Sequence, residues 1–271
     1  MVTVALMEIG RNASKSFAEA LELIGGIEDL NVFDREVLLK VGVFDPRKVQ
    51  YTTIPITKAI IDNFDLAPKI LLIESDNYRG TGSERLELWR ELFSNRVEPY
   101  NLSTDIESQT ALIADEEIEL SQLLFEHRVL VSTHTLRRYV RGSVIKNLFG
   151  LLPMVKKAQF HKNLEPVILD VMEAVGGIDL AVIDGTYAYP GPGAGTKKRI
   201  PANVFLVGRD AVAVDTVGAA LMGFDPNKMP IIQMAMDRGL GQGDIDQIEV
   251  VGLDFETTKT KLTQKRSAAI V

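Results

Sequence analysis

The 271-residue sequence contains no cysteine and only three histidines. The lack of cysteine excludes thiolate catalysis, cysteine-ligated zinc, disulfide bonds and any iron–sulfur cluster held by this chain. A bound metal would therefore have to use histidine, carboxylate or carbonyl ligands. The sequence does not indicate which cofactor, if any, the protein uses.

The chain also lacks an excess of positive charge and an uninterrupted apolar run of membrane length. Its formal net charge is -7 at pH 7, whereas broad nucleic-acid binding normally needs a basic surface, so we expect no nucleic-acid partner. Its longest apolar tract, residues 204–224, contains Arg209, Asp210 and Asp215, which are costly inside a bilayer, so we expect no membrane span. The apolar N-terminal residues follow no basic region, which argues against a signal peptide. We therefore expect a cytoplasmic protein.

Short runs rich in Val, Ile and Leu alternate with segments of helical periodicity. This pattern predicts an α/β fold with a mostly parallel sheet and helices on both faces. The predicted strands are residues 3–8, 37–43, 70–74, 128–132, 180–184, 203–207 and 248–251. The predicted helices are one capped by Ser14 and ended by Gly25 and Gly26, one over 83–93, and those over 57–64, 143–152, 164–175, 210–222 and 227–238.

The organisation of the chain follows from the even spacing of these elements. Because no linker rich in Pro, Gly or Ser interrupts them, we expect one α/β domain over residues 1–255. Residues 101–122 are more acidic and less periodic, which predicts a peripheral excursion or a small subdomain. Residues 256–271 form a basic tail that we expect to be partly frayed. The oligomeric state cannot be inferred from these patterns.

Residues 131–161, VSTHTLRRYVRGSVIKNLFGLLPMVKKAQFH, contain two of the three histidines among several lysines and arginines. A strand that ends just before His134 would place this histidine at the carboxyl edge of the sheet, where open α/β sheets bind ligands. Lys146 and Asn147 lie among apolar residues of the next helix, and a lysine beside an amide can hold and orient an anion. The alternatives are that His134 and His161 are hydrogen-bonded structural histidines and that Lys146 is a surface lysine.

Three charged residues interrupt otherwise apolar segments. Asp184 ends a buried strand, so it is either a cap or a group presented to the ligand. Asp215 lies in an apolar helix, where it needs a partner such as a lysine or arginine, and its role is equally structural or functional. Lys40 lies in an apolar strand and needs a counter-charge or an anionic ligand. We assign Lys40 to the same ligand site.

Two glycine-containing loops offer backbone N–H groups that can bind an anion. One follows Asp184 and includes Lys197, and the other is Gly80-Thr81-Gly82-Ser83 at a helix start. Neither has the spacing of a nucleotide-binding motif. The alternatives are an exposed turn for the first loop and an N-cap role for Ser83 in the second.

Ordered blocks of the sequence resemble the family known as domain of unknown function 362, from bacteria and archaea. The blocks are VLLKVGVFDP at 37–46, ILLIESDNYRGTG at 70–82, STHT at 132–135, VIKNLFGLLP at 144–153, His161, VIDGTYA at 182–188, VGRDAVAVDTVGAALMGFDP at 207–226 and GLGQGDI at 239–245. The family has no assigned reaction. Many relatives carry a ferredoxin-like iron–sulfur module, which this cysteine-free chain cannot supply. Relatives also often have a lysine before the His134 block, where this chain has Ser132 and Thr133.

The sequence predicts a polar cleft that binds a small anionic metabolite, in an acid–base or metal-assisted enzyme. The candidate catalytic residues are His134, His161 and Asp184, and the candidate ligand-binding residues are Lys40, Lys146, Asn147 and Asp215. Either histidine would act as general acid or base, and the first aspartate would orient a histidine or a metal. The alternative is a non-catalytic protein that binds a ligand or metal and recognises a protein partner. Shifted pKa values in a water-poor cavity favour the enzyme, whereas an exposed apolar patch favours the partner protein.

Overall fold

The computed structural model describes residues 1–44, 46–48, 50–191 and 198–270, and an eight-stranded sheet forms its centre. The strands are β1 (Val2–Glu8), β2 (Val37–Lys40), β3 (Ile70–Glu74), β4 (Val97–Asn101), β5 (Ser108–Ile113), β6 (Glu116–Ser121), β7 (Val129–Arg137), β8 (Leu180–Tyr189), β9 (Ile200–Gly208) and β10 (Ile248–Gly252). The order in the large sheet is β10-β1-β9-β8-β7-β2-β3-β4. Only β9 among these eight strands runs antiparallel to its neighbours. The prediction of a mostly parallel α/β sheet is confirmed.

Helices cover both faces of this sheet. They are α1 (Ala13–Leu23), α2 (Ile54–Asn63), α3 (Gly82–Leu86), α4 (Val144–Asn147), α5 (Met154–Phe160), α6 (Leu164–Ala174), α7 (Ala211–Leu221), α8 (Pro230–Asp237) and α9 (Phe255–Ile270). Short 3-10 helices lie at Pro46–Lys48, Glu87–Leu92, Leu102–Thr104, Gln122–Phe125, Leu148–Leu151, Pro226–Lys228 and Ile245–Gln247. One core packs α1 and α2 against the sheet, and the other packs α4, α6, α7 and α8 against the opposite face. Strands buried on both faces are apolar throughout, which is why runs such as ILLIE were recognisable.

Two helix starts differ from the predicted caps. Asn12, rather than Ser14, caps α1, and its side chain accepts a hydrogen bond from the N–H of Lys15 at 3.1 Å. Thr81, rather than Ser83, caps α3 in a reciprocal capping box with Glu84. In both cases a residue with a suitable side chain stood two positions before the predicted one, so the sequence offered two caps of similar quality.

The carboxyl edge of the sheet extends further than predicted. β7 continues to Arg137, so the predicted end at Ser132 is wrong. β2 ends at Lys40, which is opposite Ser132, and the extension of β7 remains paired with β8. His134 is therefore inside a strand, yet it lies beyond the end of the neighbouring β2. This step in the sheet edge provides the space for the site described below.

The C-terminal segment, predicted to be a partly frayed basic tail, is instead helix α9. Leu262 is buried against the core, and Arg266 Nη1 donates to the backbone oxygen of Met222 at 2.6 Å. These contacts stabilise a segment whose polar sequence gives no amphipathic signal. Within the described ranges, no helix combines the length and the apolar character needed to cross a bilayer.

Residues 101–122 include elements that the sequence patterns did not predict. β5 and β6 pair as an antiparallel hairpin separate from the large sheet. Its inward side chains, among them Ile113 and Ile118, join the core that contains α6. Asp170 of α6 also accepts a hydrogen bond from the N–H of Ala114 at 2.8 Å. Whether this segment is a subdomain of its own remains a prediction.

Candidate functional site

A cavity of about 410 Å³ lies at the carboxyl ends of β2, β3 and β7. Parallel strands end at a common edge, so residues distant in sequence meet there. Segments α4 and α5, with the 3-10 helix between them, form the other side. The polar side chains lining the cavity are Lys40, Asn77, Tyr78, Glu74, Arg85, His134, Arg137, Lys146, Asn147, Lys157 and His161.

Glu74 lies at the centre of a buried ion-pair network. Its Oε2 is 2.9 Å from Lys40 Nζ and 3.1 Å from Arg85 Nη2. Burial opposes ionisation of Glu74, but the positive charges of Lys40, Arg85 and Lys157 lower its pKa below the ordinary value. Burial likewise lowers the pKa of Lys40, against the attraction of Glu74. The predicted counter-charge of Lys40 is therefore Glu74, which the sequence reasoning did not name.

Close packing around this ion pair depends on Gly150. A Cβ atom at Gly150 would lie 2.7 Å from Lys40 Cε and 2.9 Å from Glu74 Oε1. Real Cβ contacts are not that short, so any larger residue would displace the ion pair. The glycine allows the 3-10 helix to lie directly against the buried charges.

Asn147 ties α4 to the sheet. Its Oδ1 accepts from Lys40 Nζ at 3.1 Å. Its Nδ2 donates to the backbone oxygens of Lys40 at 2.9 Å and Thr133 at 3.1 Å, and to Ser132 Oγ at 3.3 Å. The amide therefore lines the cavity with its hydrogen bonds made inside the protein. Any role in binding a ligand remains a prediction.

Asp215 holds the start of α4. Its carboxylate accepts hydrogen bonds from the backbone N–H groups of Ser143, Val144 and Ile145 at 2.8, 3.0 and 3.0 Å. These are N-terminal donors that have no acceptor within a helix. Burial raises the pKa of Asp215 to about 6, although the three hydrogen bonds oppose this. The expected ion pair is thus replaced by backbone donors, and Asp215 lies behind α4 rather than among the cavity-lining residues.

His134 faces the cavity as a neutral donor. It is buried, and its Nδ1 accepts from the N–H of Thr135 at 2.7 Å. An Nδ1 atom that accepts carries no proton, so the proton of the neutral ring is assigned to Nε2. Burial, together with the positive charges of Arg137 and Lys146, lowers the pKa of His134 well below its ordinary value.

His161 has the opposite tautomer. It ends α5, and its Nδ1 lies 2.6 Å from the backbone oxygen of Lys157. A carbonyl oxygen only accepts, so Nδ1 carries the proton and the Nε2 lone pair of neutral His161 is available. The ring is exposed at the rim of the cavity and meets Phe149 edge-on at 5.5 Å between centroids. Both histidines line the cavity, and their hydrogen bonds assign them opposite tautomers.

Arg137 is buried without full hydrogen bonding. Its Nε and Nη2 atoms have no hydrogen-bond partner among the described residues, and the side chain is 9% exposed. Burial lowers its pKa to about 10. A guanidinium is charged at neutral pH even so. The structure thus contains a buried positive charge with two unsatisfied nitrogens.

Two lysines add to this charge. Lys146 Nζ lies 5.2 Å from the centroid of the Phe149 ring. Burial, then the positive charges of Arg137 and Lys40, lower the pKa of Lys146 to about 7.

Lys157 Nζ donates to Ser75 Oγ at 2.6 Å and to the backbone oxygen of Asp76 at 2.8 Å. Burial lowers the pKa of Lys157 to about 8.

Asp184 lies elsewhere. Its Oδ2 accepts from the N–H of Thr53 at 2.6 Å, and its Oδ1 accepts from the N–H and hydroxyl of Thr186 at 2.8 and 2.7 Å. The carboxylate thereby joins β8 to the start of α2 and is not among the cavity-lining residues. Over the part of the chain that the structure describes, no three His, Asp or Glu side chains converge as a metal-ligand set.

The two glycine-containing loops differ in how much of them the structure describes. Lys197, in the loop after Asp184, falls outside the described residues. In the other loop, the N–H groups of Thr81 and Gly82 donate to the carboxylates of Glu84 and Asp76 at 2.9 and 2.7 Å. Protein carboxylates thus occupy the donors that the sequence offered to an anion.

Residues 37–220 match the family model described as "Domain of unknown function (DUF362)". This match covers more than half of the chain. The protein belongs to the DUF362 family. A search of curated proteins found no match. A solved structure, "Loganic acid methyltransferase with SAH", aligns over 93% of this chain and 70% of that chain at 12% identity, but its TM-score of 0.28 is too low to indicate a shared fold.

The DUF362 match includes every residue that lines the cavity. Sequence reasoning nevertheless missed four of the charged ones, which are Glu74, Arg85, Arg137 and Lys157. Glu74 could have been predicted, because it is a charged residue at the end of an apolar strand, and Lys40 and Asp184 were selected by the same criterion. Arg137 carried no such signal, because side chains alternate along a strand and Arg137 would then lie on the face opposite to His134. The pairing of β7 with β8 changes register after Thr135, and beyond that point the alternation no longer predicts which face a side chain is on.

Proposed function

We propose that the cavity binds a small organic anion whose charged group is held by Arg137. The observation that carries this proposal is the buried guanidinium with unpartnered Nε and Nη2 atoms. These two nitrogens form one edge of the planar guanidinium. Such an edge binds a carboxylate or phosphate through two parallel hydrogen bonds. A buried unsatisfied donor costs about 1–3 kcal/mol. An anion at this edge would remove that cost.

The balance of charges in the cavity supports an anionic ligand. Among the lining residues described, five are lysine or arginine and one, Glu74, is a carboxylate. Glu74 already pairs with Lys40 and Arg85. The charges of Arg137, Lys146 and Lys157 are therefore not neutralised by a cavity-lining carboxylate of their own, and a bound anion would reduce their mutual repulsion.

The apolar side chains in the cavity wall indicate that the ligand also has an apolar part. Phe44, Tyr78, Phe149 and Met154 line the same cavity. A bare inorganic ion would leave these side chains without contacts. The volume of about 410 Å³ is in the range of small-molecule sites, about 300–1,000 Å³. A carboxylate or phosphate ester with an aromatic or aliphatic group fits these features.

The two histidines supply the means for acid–base chemistry. In the catalytic form of this proposal, His134 Nε2–H donates a hydrogen bond to the ligand, and His161 Nε2 accepts a proton from it. The lowered pKa of His134 keeps this ring neutral at pH 7, so it acts as a donor without becoming an imidazolium. Asp184 has no part in this arrangement, because its carboxylate is bound to Thr53 and Thr186.

A second candidate function is ligand binding without catalysis, for recognition by a protein partner. Apolar side chains at and beside the cavity rim favour it: Tyr78, Met154 and Val155 are 62%, 48% and 80% exposed. Exposed apolar groups beside a binding site are typical of surfaces that meet another protein. Turnover of a bound ligand would distinguish the enzyme from this alternative.

The anion site is tested by thermal unfolding of the wild type, Arg137→Met and the control Arg138→Met. Arg138 is adjacent in sequence, but its guanidinium stacks on Phe224 at 4.5 Å and does not line the cavity. The probe is phenylacetate, a carboxylate with an aromatic group. At a ligand concentration of 100 times Kd, binding adds about 2.7 kcal/mol, or a rise of about 5 °C in Tm for a chain of this length.

We expect phenylacetate to raise the Tm of the wild type and of Arg138→Met, and to leave that of Arg137→Met unchanged. Without ligand, Arg137→Met should unfold no lower than the wild type, because it removes an unpartnered buried charge. Equal stabilisation of all three proteins, or of none, would rule out the proposed anchor. A large loss of unliganded stability in Arg137→Met would show a structural role instead.

A further inference from the structure

The three lysines of the cavity differ in what their ammonium groups contact. Lys40 Nζ has three acceptors, on Glu74, Asn147 and Val41, at 2.9 to 3.1 Å. Lys157 Nζ has two, on Ser75 and Asp76. Lys146 Nζ has no hydrogen-bond acceptor among the described residues and contacts the face of Phe149. Lys146 is thus the lysine whose amine is available to a ligand.

The neighbours of Lys146 favour its neutral form. A lysine becomes nucleophilic when it is desolvated or lies beside another cation. Lys146 is half-buried and lies near other cations, and its burial together with the positive charges of Arg137, Lys40 and Lys157 lowers its pKa to about 7. A substantial fraction of neutral amine is therefore present at pH 7 to 8. The chain has no cysteine, so this amine is the strongest nucleophile that the cavity contains.

Resting on the anion site proposed above, we propose that Lys146 forms an imine with the carbonyl carbon of its ligand. The ligand class is then a small oxo acid or other carbonyl-bearing anion with an apolar substituent. Arg137 would hold the anionic group, Lys146 would meet the carbonyl carbon, and Phe44, Tyr78 and Met154 would contact the substituent.

The covalent step can be written with the groups present. The lone pair of Lys146 Nζ attacks the carbonyl carbon, a C–N bond forms, and the C=O electron pair moves to oxygen. The resulting oxyanion accepts a hydrogen bond from His134 Nε2–H, while Nε2 of His161 takes the proton from nitrogen and passes it to this oxygen. His161 then takes a second proton from solvent and gives it to the carbinolamine hydroxyl, which leaves as water as the nitrogen lone pair forms the C=N bond. The product is a protonated imine on Lys146.

Phe149 contacts both of these groups. The ammonium of Lys146 lies 5.2 Å from the centroid of its ring, and the His161 ring makes a T-shaped contact with it at 5.5 Å between centroids. Lys146 and Phe149 are three residues apart, which puts them on one side of the short helical segment. The amine and the proton acceptor are thus held against one aromatic side chain.

The test uses phenylpyruvate with cyanoborohydride, which reduces an imine to a stable secondary amine. Peptide mass spectrometry then locates the adduct. We expect it mainly on Lys146 in the wild type and in the control Lys156→Met, whose lysine is paired with Glu116 near the surface. Lys146→Met should lose this adduct. Phenylacetate, which lacks the carbonyl group, should slow the labelling by tenfold or more when saturating.

The two proposals fail in different ways. If phenylacetate stabilises the protein through Arg137 but phenylpyruvate labels Lys146 no faster than exposed lysines, the anion site stands and the imine does not. If phenylacetate neither stabilises the protein nor slows labelling, the anion site fails, and the imine proposal fails with it. Labelling of Lys146 that is unaffected in Arg137→Met would also contradict the assigned orientation of the ligand.

Discussion

At the scale of single residues, the charge of Lys146 is set by its burial and then by its cationic neighbours. Its pKa falls from 10.5 to about 7 on folding. Between these values the unfolded chain binds a proton that the folded protein does not. The free energy of unfolding therefore rises with pH in this window, by up to about 1.4 kcal/mol per pH unit.

Lys146→Met should remove the part of this pH dependence that comes from Lys146. We expect the variant to show a smaller increase in unfolding free energy than the wild type between pH 7 and pH 9, because it has no ammonium to deprotonate. Urea unfolding at several pH values measures the slope. Lys156→Met, which changes a lysine outside the cavity, should keep the wild-type slope. An identical slope in Lys146→Met and the wild type would mean that Lys146 is solvated and has an ordinary pKa.

At the scale of the elements, the site depends on a helix that is too short to be stable alone. Isolated helices of four residues do not form, because nucleation is unfavourable. α4 exists because Asp215 accepts hydrogen bonds from its first N–H groups and because Asn147 is bound to β2 and β7. These two residues, both predicted to bind ligand, thus position Lys146.

Asp215→Ala tests whether the hydrogen bonds from Asp215 stabilise α4. It leaves three buried N–H groups without an acceptor, each costing about 1–3 kcal/mol, so we expect a loss of about 3 kcal/mol or more in unfolding free energy. The comparison is Asn12→Ala at the start of α1, an N-cap whose side chain accepts one backbone N–H, with an expected loss of about 1 kcal/mol. Urea unfolding measures both. Equal losses would show that α4 does not depend on Asp215.

The elements also show what a sequence can and cannot predict. The strands β2, β3, β7, β8 and β9 were found because each contains an apolar run that is buried on both faces of the sheet. β4, VEPYN, was missed because it is an edge strand with polar residues and a proline. The hairpin β5–β6 was missed because its pairing partner is another weak strand rather than the main sheet. α9 lacks an apolar stripe, so only tertiary contacts reveal it.

At the scale of the whole molecule, the sheet order brings β2, β3 and β7 together, and the cavity forms at their carboxyl ends. The sequence located this edge through His134, Lys40 and the lysine-bearing helix. It could not show that Asp184 faces α2 or that Arg137 faces the cavity, since these directions follow from the irregular pairing of β7 with β8. Membership in the DUF362 family assigns no reaction, so the chemistry has to be inferred from these side chains.

The anion site at Arg137 can be observed in crystals soaked with tungstate, a tetrahedral oxyanion whose metal gives a strong anomalous signal. We expect an anomalous peak in the cavity, with tungstate oxygens about 2.7–3.1 Å from Nε and Nη2 of Arg137. This peak should be absent in Arg137→Met crystals soaked in the same way. Tungstate bound only at surface lysines, with no peak beside Arg137 in the wild type, would rule out Arg137 as the anion anchor.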